Sequence, residues 1–397
     1  MSVSTTSVTG VSTGGTGQGV LLVLLSVVSV AATTLLAPIL PRMIAEFAAT
    51  DPAAEQKAVL ALAVPALVVA ITAPFMGRVI DSFGRKRLLV VALIAYAIIG
   101  ILPAFLNDLG AIIASRVALG IAEAAIMTAS TTMIGDYFRG GDREKWFVAQ
   151  ASAASISAII FFGIGGALGE VNWRNAYYVY AVALLSVPIA LAILREPAKT
   201  EAEQQVTALR FPWSRVVWLY LIAFVGAIIF FIPQIQVAFL LEERLVTSPA
   251  VVGITTAIGA VAVPVGSIIY KLRSKAPFWL NLLSAFVLMA AGLALMAWGP
   301  YYTFLAGIIV ANLGCGIFLP LMLTSIMAHL HFDLRGRGTG GWQTAFFLGN
   351  FVSPLLILAV AGAAGGLSGN AVGIVAVAAL VAAVVTLLIR PRNELAA

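Results

Sequence analysis

The chain has 397 residues, 61% of them hydrophobic and only 10% charged, with a formal net charge of +6. A soluble globular domain carries roughly 25% charged residues, and one this apolar would expose large sticky patches, so an ordinary soluble protein is excluded and lipid is read as the main solvent. The positive balance does not point to nucleic acid, because the bases sit in short segments beside apolar runs and read instead as determinants of membrane orientation.

Crossing a hydrocarbon core of about 30 Å takes about 20 apolar residues in a helix. Runs of this kind predict spans at 18–45, 56–80, 88–106, 109–135, 144–168 and 175–194. Six more follow at 214–241, 249–270, 277–298, 301–330, 338–362 and 366–389. No run alternates apolar and polar residues with period two, so the fold class is all-α integral membrane rather than β-barrel. The first run is longer than a signal-peptide core and is kept as a spanning helix, behind a tail, 1–17, expected to be disordered. The single Cys315 leaves no disulfide within the chain.

The longest polar connection, 195–213, divides the twelve predicted helices into two six-helix pseudo-symmetric bundles, 18–194 and 214–390, with a short tail at 391–397. The 23 Lys and Arg sort sharply by loop. Even-numbered loops and the C-terminal tail hold Arg78, Arg85, Lys86, Arg87, Arg139, Arg143, Lys145, Arg195, Lys199, Arg210, Arg215, Lys271, Arg273, Lys275, Arg335, Arg337, Arg390 and Arg392. Odd-numbered loops hold only Arg42, Lys57, Arg174 and Arg244. This asymmetry predicts cytoplasmic even loops and cytoplasmic termini in a multi-pass protein of the inner (plasma) membrane. The halves echo one another: "PFMGRVIDSFGRKR" after the second helix is matched by "PVGSIIYKLRSK" after the eighth, and "TTMIGDYFRGGDREKW" by "TSIMAHLHFDLRGRG". Paired six-helix halves describe a transporter built from repeats, with its site between them near the midplane.

The stretch "GRVIDSFGRKR", between the second and third helices, resembles the signature of the major facilitator superfamily. Gly77, Asp81, Gly84, Arg85, Lys86 and Arg87 carry the match. Gly77 is expected to allow close helix approach and Gly84 a tight turn. Asp81 is expected to face a helix N-terminus. The resemblance implies that the loop latches the cytoplasmic side in the outward-facing state, with Asp136 at the end of the fourth helix as a third charged member. A plain topological role is the bland alternative, but topology alone needs neither Asp81 nor the glycines. "RVALGIAEAA", with Arg116 and Gly120, and "VNWRNAYYVYA", with Trp173 and Arg174, are similar to further patterns of the family. The short central loop resembles the twelve-helix drug:proton antiporter branch. One departure stands in the fifth helix. The branch's Gly-Pro is replaced by Phe161 and Phe162, while its Gly pair is kept as Gly165 and Gly166; Pro354 is a partial counterpart in the other half.

Charges inside a span are rare and usually functional. Two lie deep, Arg116 and Glu123, both in the fourth helix. Seven residues apart, they share a helix face about 10.5 Å apart, too far for a direct salt bridge. Glu123 falls near the middle of its span, where a carboxyl is costly to keep charged and can take up a proton; it is the leading proton carrier. Arg116 is always charged and suits a fixed role, either bracketing a substrate or holding its helix. Thr34, Gln150, Gln234, Gln236, Asn312, Gln343 and Asn350 complete the expected substrate cavity, although each alone is more often a helix–helix hydrogen bond. Phe230, Phe231, Trp342, Phe346 and Phe347 are candidate aromatic walls. The serine-hydrolase-like "GVSTG" lies in the polar tail with no strand before it, and the pair His329 and His331 has no acids or cysteines at ligand spacing.

These observations lead to one expectation. The chain is a proton-coupled secondary transporter and not an enzyme, moving a small organic compound by alternating access, with export by antiport favoured. It is expected to need no cofactor and no metal, to have the lipid bilayer, protons and a small organic substrate as partners, and, by the family resemblance, to be a monomer. Import of an organic anion held by Arg116 is the alternative in transport; a membrane enzyme or channel is the alternative in class.

Overall fold

The computed structural model describes residues 14–196, 211–331 and 334–388. The tail 391–397, most of the expected linker, and most of the tail 1–17 lie outside the described residues. Among the described residues, twelve helices are long and apolar enough to cross a membrane. We number them α1 (Thr16–Phe47), α2 (Ala54–Ile80), α3 (Arg85–Ala104), α4 (Leu109–Tyr137), α5 (Gly140–Val171) and α6 (Trp173–Ile193) in the N-terminal half. The C-terminal half has α7 (Trp213–Ile235), α8 (Pro249–Leu272), α9 (Phe278–Trp298), α10 (Tyr301–Ala328), α11 (Arg337–Ala363) and α12 (Ser368–Thr386).

Local chemistry sets several boundaries. Asp108 caps α4 by accepting from Ala111 N at 2.7 Å, and Ser248 caps α8, whose first residue, Pro249, needs no N–H there. Most span ends shift by up to four residues from the sequence expectation, and two spans are also broken. α1 begins at Thr16, two residues into the expected tail, and is interrupted by 3₁₀ turns at Val28–Val30 and Ala37–Ile39. The seventh span ends at Ile235 rather than 241, with a separate short helix at Val237–Glu242. Pro233 lacks the N–H for the intrahelical bond, and the chain turns two residues later.

Each half has its own core. Leu22, Leu35, Leu89, Ile112 and Leu119 are fully buried in the first, and Leu219, Ile232, Leu293, Phe304 and Phe318 in the second. Apolar side chains such as Leu24, Ile98, Leu185, Leu221, Ile254 and Val377 point outward, as a lipid-facing surface requires.

The halves are sealed at the odd-loop ends. There α5 crosses α8 with backbones almost touching: a Cβ on Gly166 would stand 2.4 Å from Pro249 O and 2.9 Å from Gly253 Cα. Only glycine permits that approach. Beyond the crossing, Glu170 Oε2 accepts from Ser248 Oγ at 2.7 Å and from Ala250 N at 3.1 Å. Toward the even loops the seam parts. The α5 face that is buried at Phe162 and Gly166 becomes exposed at Ala151, Val148 and Glu144. On α2, Pro74, Phe75, Gly77 and Arg78 are likewise exposed. Near this divide Thr344 Oγ1 of α11 donates to Ala70 O of α2 at 3.2 Å.

Candidate functional site

The basic loop is built around one turn. The helix containing α2 runs on to Phe83, and Gly84 reverses the chain with φ +89°. That left-handed backbone suits glycine. α3 starts at once, so its first N–H groups have no partner in the helix. Glu196, arriving after α6, takes two of them: Oε1 accepts from Arg85 N and Oε2 from Lys86 N at 2.9 Å. An acid at this position also complements the positive end of the helix. Asp81 was expected in that role; its side chain lies outside the described residues, and Glu196 fills the position. Arg85 Nε stands 2.8 Å from Asp136 Oδ2, with the two side chains 8% and 15% exposed. Lys86 Nζ donates to Leu191 O at 2.8 Å, and Arg87 is exposed. Gly77 makes no close helix approach in this conformation, because a Cβ there would meet nothing within 4 Å.

Deep in the N-terminal half lies the second group. Arg116 is fully buried. Nη1 donates to Tyr180 Oη at 3.2 Å and Nη2 to Gly100 O at 3.1 Å. The guanidinium also faces the Tyr177 and Tyr180 rings, 5.1 Å from each centroid. It therefore ties α4 to α3 and α6 inside one half, and does not line a cavity between halves as expected from sequence. Glu123 is 3% exposed, and its Oε2 has no hydrogen-bond partner among the described residues. Arg116, Tyr96 and Tyr180 are near enough to interact with it electrostatically. Tyr96 in turn donates to Val28 O at 2.7 Å, where α1 is broken by its first 3₁₀ turn.

The remaining polar candidates do not converge on one cavity. Gln234 Nε2 donates to Asn312 Oδ1 at 2.5 Å, joining α7 to α10 within the C-terminal half. Gln150 Nε2 donates to Thr131 Oγ1 at 3.1 Å, joining α5 to α4. Thr34 turns its hydroxyl back to Val30 O at 2.7 Å. Gln236 is buried near the odd-loop end, beside Glu55 and Pro354. Asn350 is buried on α11, and Gln343 is half-buried one turn beyond Thr339. In an apolar solvent a polar side chain satisfies itself at the nearest acceptor, which is usually in its own helix or the next one.

What does gather at the seam is aromatic. Phe346 stacks on Trp342, with centroids 5.2 Å apart, and packs against Phe230 and Phe231 at 5.3 and 5.1 Å. Phe231 and Phe347 also touch the core of the N-terminal half. The Trp342 Nε1–H is buried with no acceptor among the described residues. This offers a ligand flat apolar faces and one hydrogen-bond donor.

Two polar clusters escaped the sequence reading. Besides Glu196, Glu46 on α1 accepts from Trp173 Nε1 at 2.6 Å and from Arg174 Nη1 at 2.6 Å, with Arg174 reaching Asn107 Oδ1 at 3.0 Å. Arg42 pairs with Glu170 at 3.2 Å. The motif around Trp173 and Arg174 was visible; their acceptor, distant in sequence, was not.

Known proteins place this geometry. A multidrug resistance protein of Bacillus subtilis is 32% identical over 161 residues, 40% of this chain and 41% of that protein. A class B tetracycline resistance protein of Escherichia coli is 31% identical over 160 residues, 40% of this chain and 39% of that protein. These matched stretches span about two fifths of each relative. Over the whole fold, a point mutant of the nucleoside transporter NupG superposes with TM-score 0.74 at 14% identity, covering 94% of this chain and all of that one. An inward-facing, occupied bacterial homologue of the lysosomal transporter Spinster gives 0.70 at 15% identity, covering 94% of each chain. The family model described as the Major Facilitator Superfamily matches residues 22–354, through both halves and the seam between them, and the chain belongs to that superfamily.

Proposed function

We propose that the protein is a proton-driven exporter of small, largely apolar organic compounds. Family membership makes it a membrane transporter rather than an enzyme. The observation that carries proton coupling is Glu123: a carboxyl near the middle of α4, buried, with one oxygen unpartnered among the described residues, and close to the fixed charge of Arg116. A lone buried carboxylate is expensive to leave ionised. It therefore favours holding a proton while buried and releasing it where water reaches the site, and that change can bias two arrangements of the surrounding helices. The aromatic cluster supports an apolar cargo. Export is supported by the similar proteins named for multidrug and tetracycline resistance. Anion import has less support, since both terminal nitrogens of the buried Arg116 guanidinium donate within one half, while Nε lacks a partner among the described residues.

The charge asymmetry of the loops supports cytoplasmic even loops, in which case this conformation faces inward. The even-loop latch is proposed to be Gly77, Asp81, Gly84, Arg85, Lys86, Arg87 and Asp136, with Glu196 bracing its turn.

The test is substrate-triggered proton flux in proteoliposomes. Glu123→Gln preserves shape but cannot release a proton. It should lose gradient-driven transport while retaining counterflow, and its pH dependence should flatten. Equal proton flux in wild type and variant would remove Glu123 from the coupling.

A further inference from the structure

We propose that Glu170 is the lock of the odd-loop seam, a positioning residue whose single carboxylate holds the two halves together in this conformation. The inference rests on the alternating-access reading, but its geometry stands by itself. One oxygen, Oε1, faces Arg42 Nη2 of α1 at 3.2 Å. The other, Oε2, takes a hydrogen bond from Ser248 Oγ at 2.7 Å and from Ala250 N at 3.1 Å. Arg42 reaches across to α5 with further bonds to Gly169 O at 2.9 Å and Glu170 O at 2.5 Å. Three helices from two halves thus meet on one side chain.

The α8 end of this contact is an orphaned helix start. Ser248 is the cap of α8, Pro249 has no N–H, and Ala250 offers the next free donor. Glu170 from the opposite half supplies the acceptor, and its charge complements the positive end of α8. Within its own half Glu170 needs none of this, because Arg42 is already there.

The position fits a lock. One turn inward, Gly166 and Gly253 bring the two halves into a close backbone crossing. Beside it, a cavity of about 240 Å³ lies between the halves, walled by Pro38, Pro41 and Arg42 from one and by Ala238, Glu242 and Val252 from the other. Rotating the halves to open the odd-loop side must separate Glu170 from Ser248 and Ala250. The contact is also suited to repeated breaking: Arg42 and Glu170 remain 35% and 42% exposed, so water can replace each bond as it is lost.

The reporter is Ala238→Cys. Ala238 lines the cavity and is 1% exposed, so a thiol there is shielded while the seam is shut. The background carries Cys315→Ala, to remove the native thiol. Purified full-length protein in detergent is treated with a maleimide, and the labelling rate is read. With Glu170→Ala the rate should rise about threefold or more, as the open population grows. Glu170→Gln keeps an acceptor for α8 but drops the charge, and should give a smaller rise. It carries the test if Glu170→Ala does not fold. Ser248→Ala should also accelerate labelling. The double variant, Glu170→Ala with Ser248→Ala, should be no faster than Glu170→Ala alone, because both remove one contact. Unchanged labelling in both Glu170 variants, or fully additive effects, overturns the lock. The labelling contrast without transport of any compound by the wild type would support the lock while removing the proposed function.

Discussion

Arg116 is a charge that the protein keeps for its own N-terminal half. It donates to Tyr180 and Gly100 and lies against two tyrosine rings. Charge-assisted hydrogen bonds of this kind contribute roughly 1.5–3 kcal/mol each. Arg116→Met should therefore lower the melting temperature in detergent by many degrees, with Arg116→Lys in between, since lysine keeps the charge but not the planar fork. A normal melting temperature with only a raised KM for substrate would place Arg116 against the cargo instead. Both deep charges could be found in the sequence because a charge inside a span stands out against its neighbours. Their partners could not. The seven-residue spacing says that Arg116 and Glu123 share a face of α4, but not whether that face meets α3 and α6 or the opposite half.

At the α2–α3 corner, three separate features act as one element: the left-handed Gly84, the start of α3, and Glu196 from beyond α6. Alanine at 84 would need φ near +89°, and its Cβ would lie 3.1 Å from Glu196 Oε1. The strain should cost about 1–3 kcal/mol. Glu196→Ala, which strips the cap from α3, should cost about 1 kcal/mol. Because both substitutions loosen the same turn, the double variant should melt well above the additive expectation, as measured by thermal unfolding monitored on purified protein. Fully additive losses would mean that Glu196 and the turn act independently. The elements themselves were legible at this scale. Hydropathy is a local property, and it located twelve spans with ends within a few residues, α4 from Leu109 and α10 from Tyr301 among them. The span was carried past Ile235 to 241 because hydropathy does not register the N–H that Pro233 lacks. Glu196 was missed because its partners are more than a hundred positions away.

The molecule as a whole is sealed at one end and parted at the other, and Gly77 reports on that asymmetry. Its position in the basic motif led to the expectation of a close helix contact, yet in this conformation the space around it is open. A sequence shows one pattern for all conformations; a structure shows one of them. If the even-loop side closes in the transport cycle, the parted stretch of α2 containing Gly77 must approach the opposite half, and the missing side chain becomes necessary only then. Gly77→Leu should therefore leave the present state intact. Its cost here is not steric, and leucine is the better helix former by several tenths of a kcal/mol. Melting temperature should hold or rise slightly. The even-closed state, by contrast, would have to accommodate an isobutyl group, and overpacking of a tight interface typically costs about 1–3 kcal/mol. A penalty of that size confined to one state moves the equilibrium roughly tenfold toward the other. The expected phenotype is normal expression, normal stability, and a severe loss of transport. Distances between spin labels on the exposed Arg78 and Lys271 positions, one in each half, should lose their short component on adding substrate, while wild type retains it. If Gly77→Leu transports at the wild-type rate, α2 does not close on anything near residue 77, and the glycine answers to some other constraint than packing between the halves.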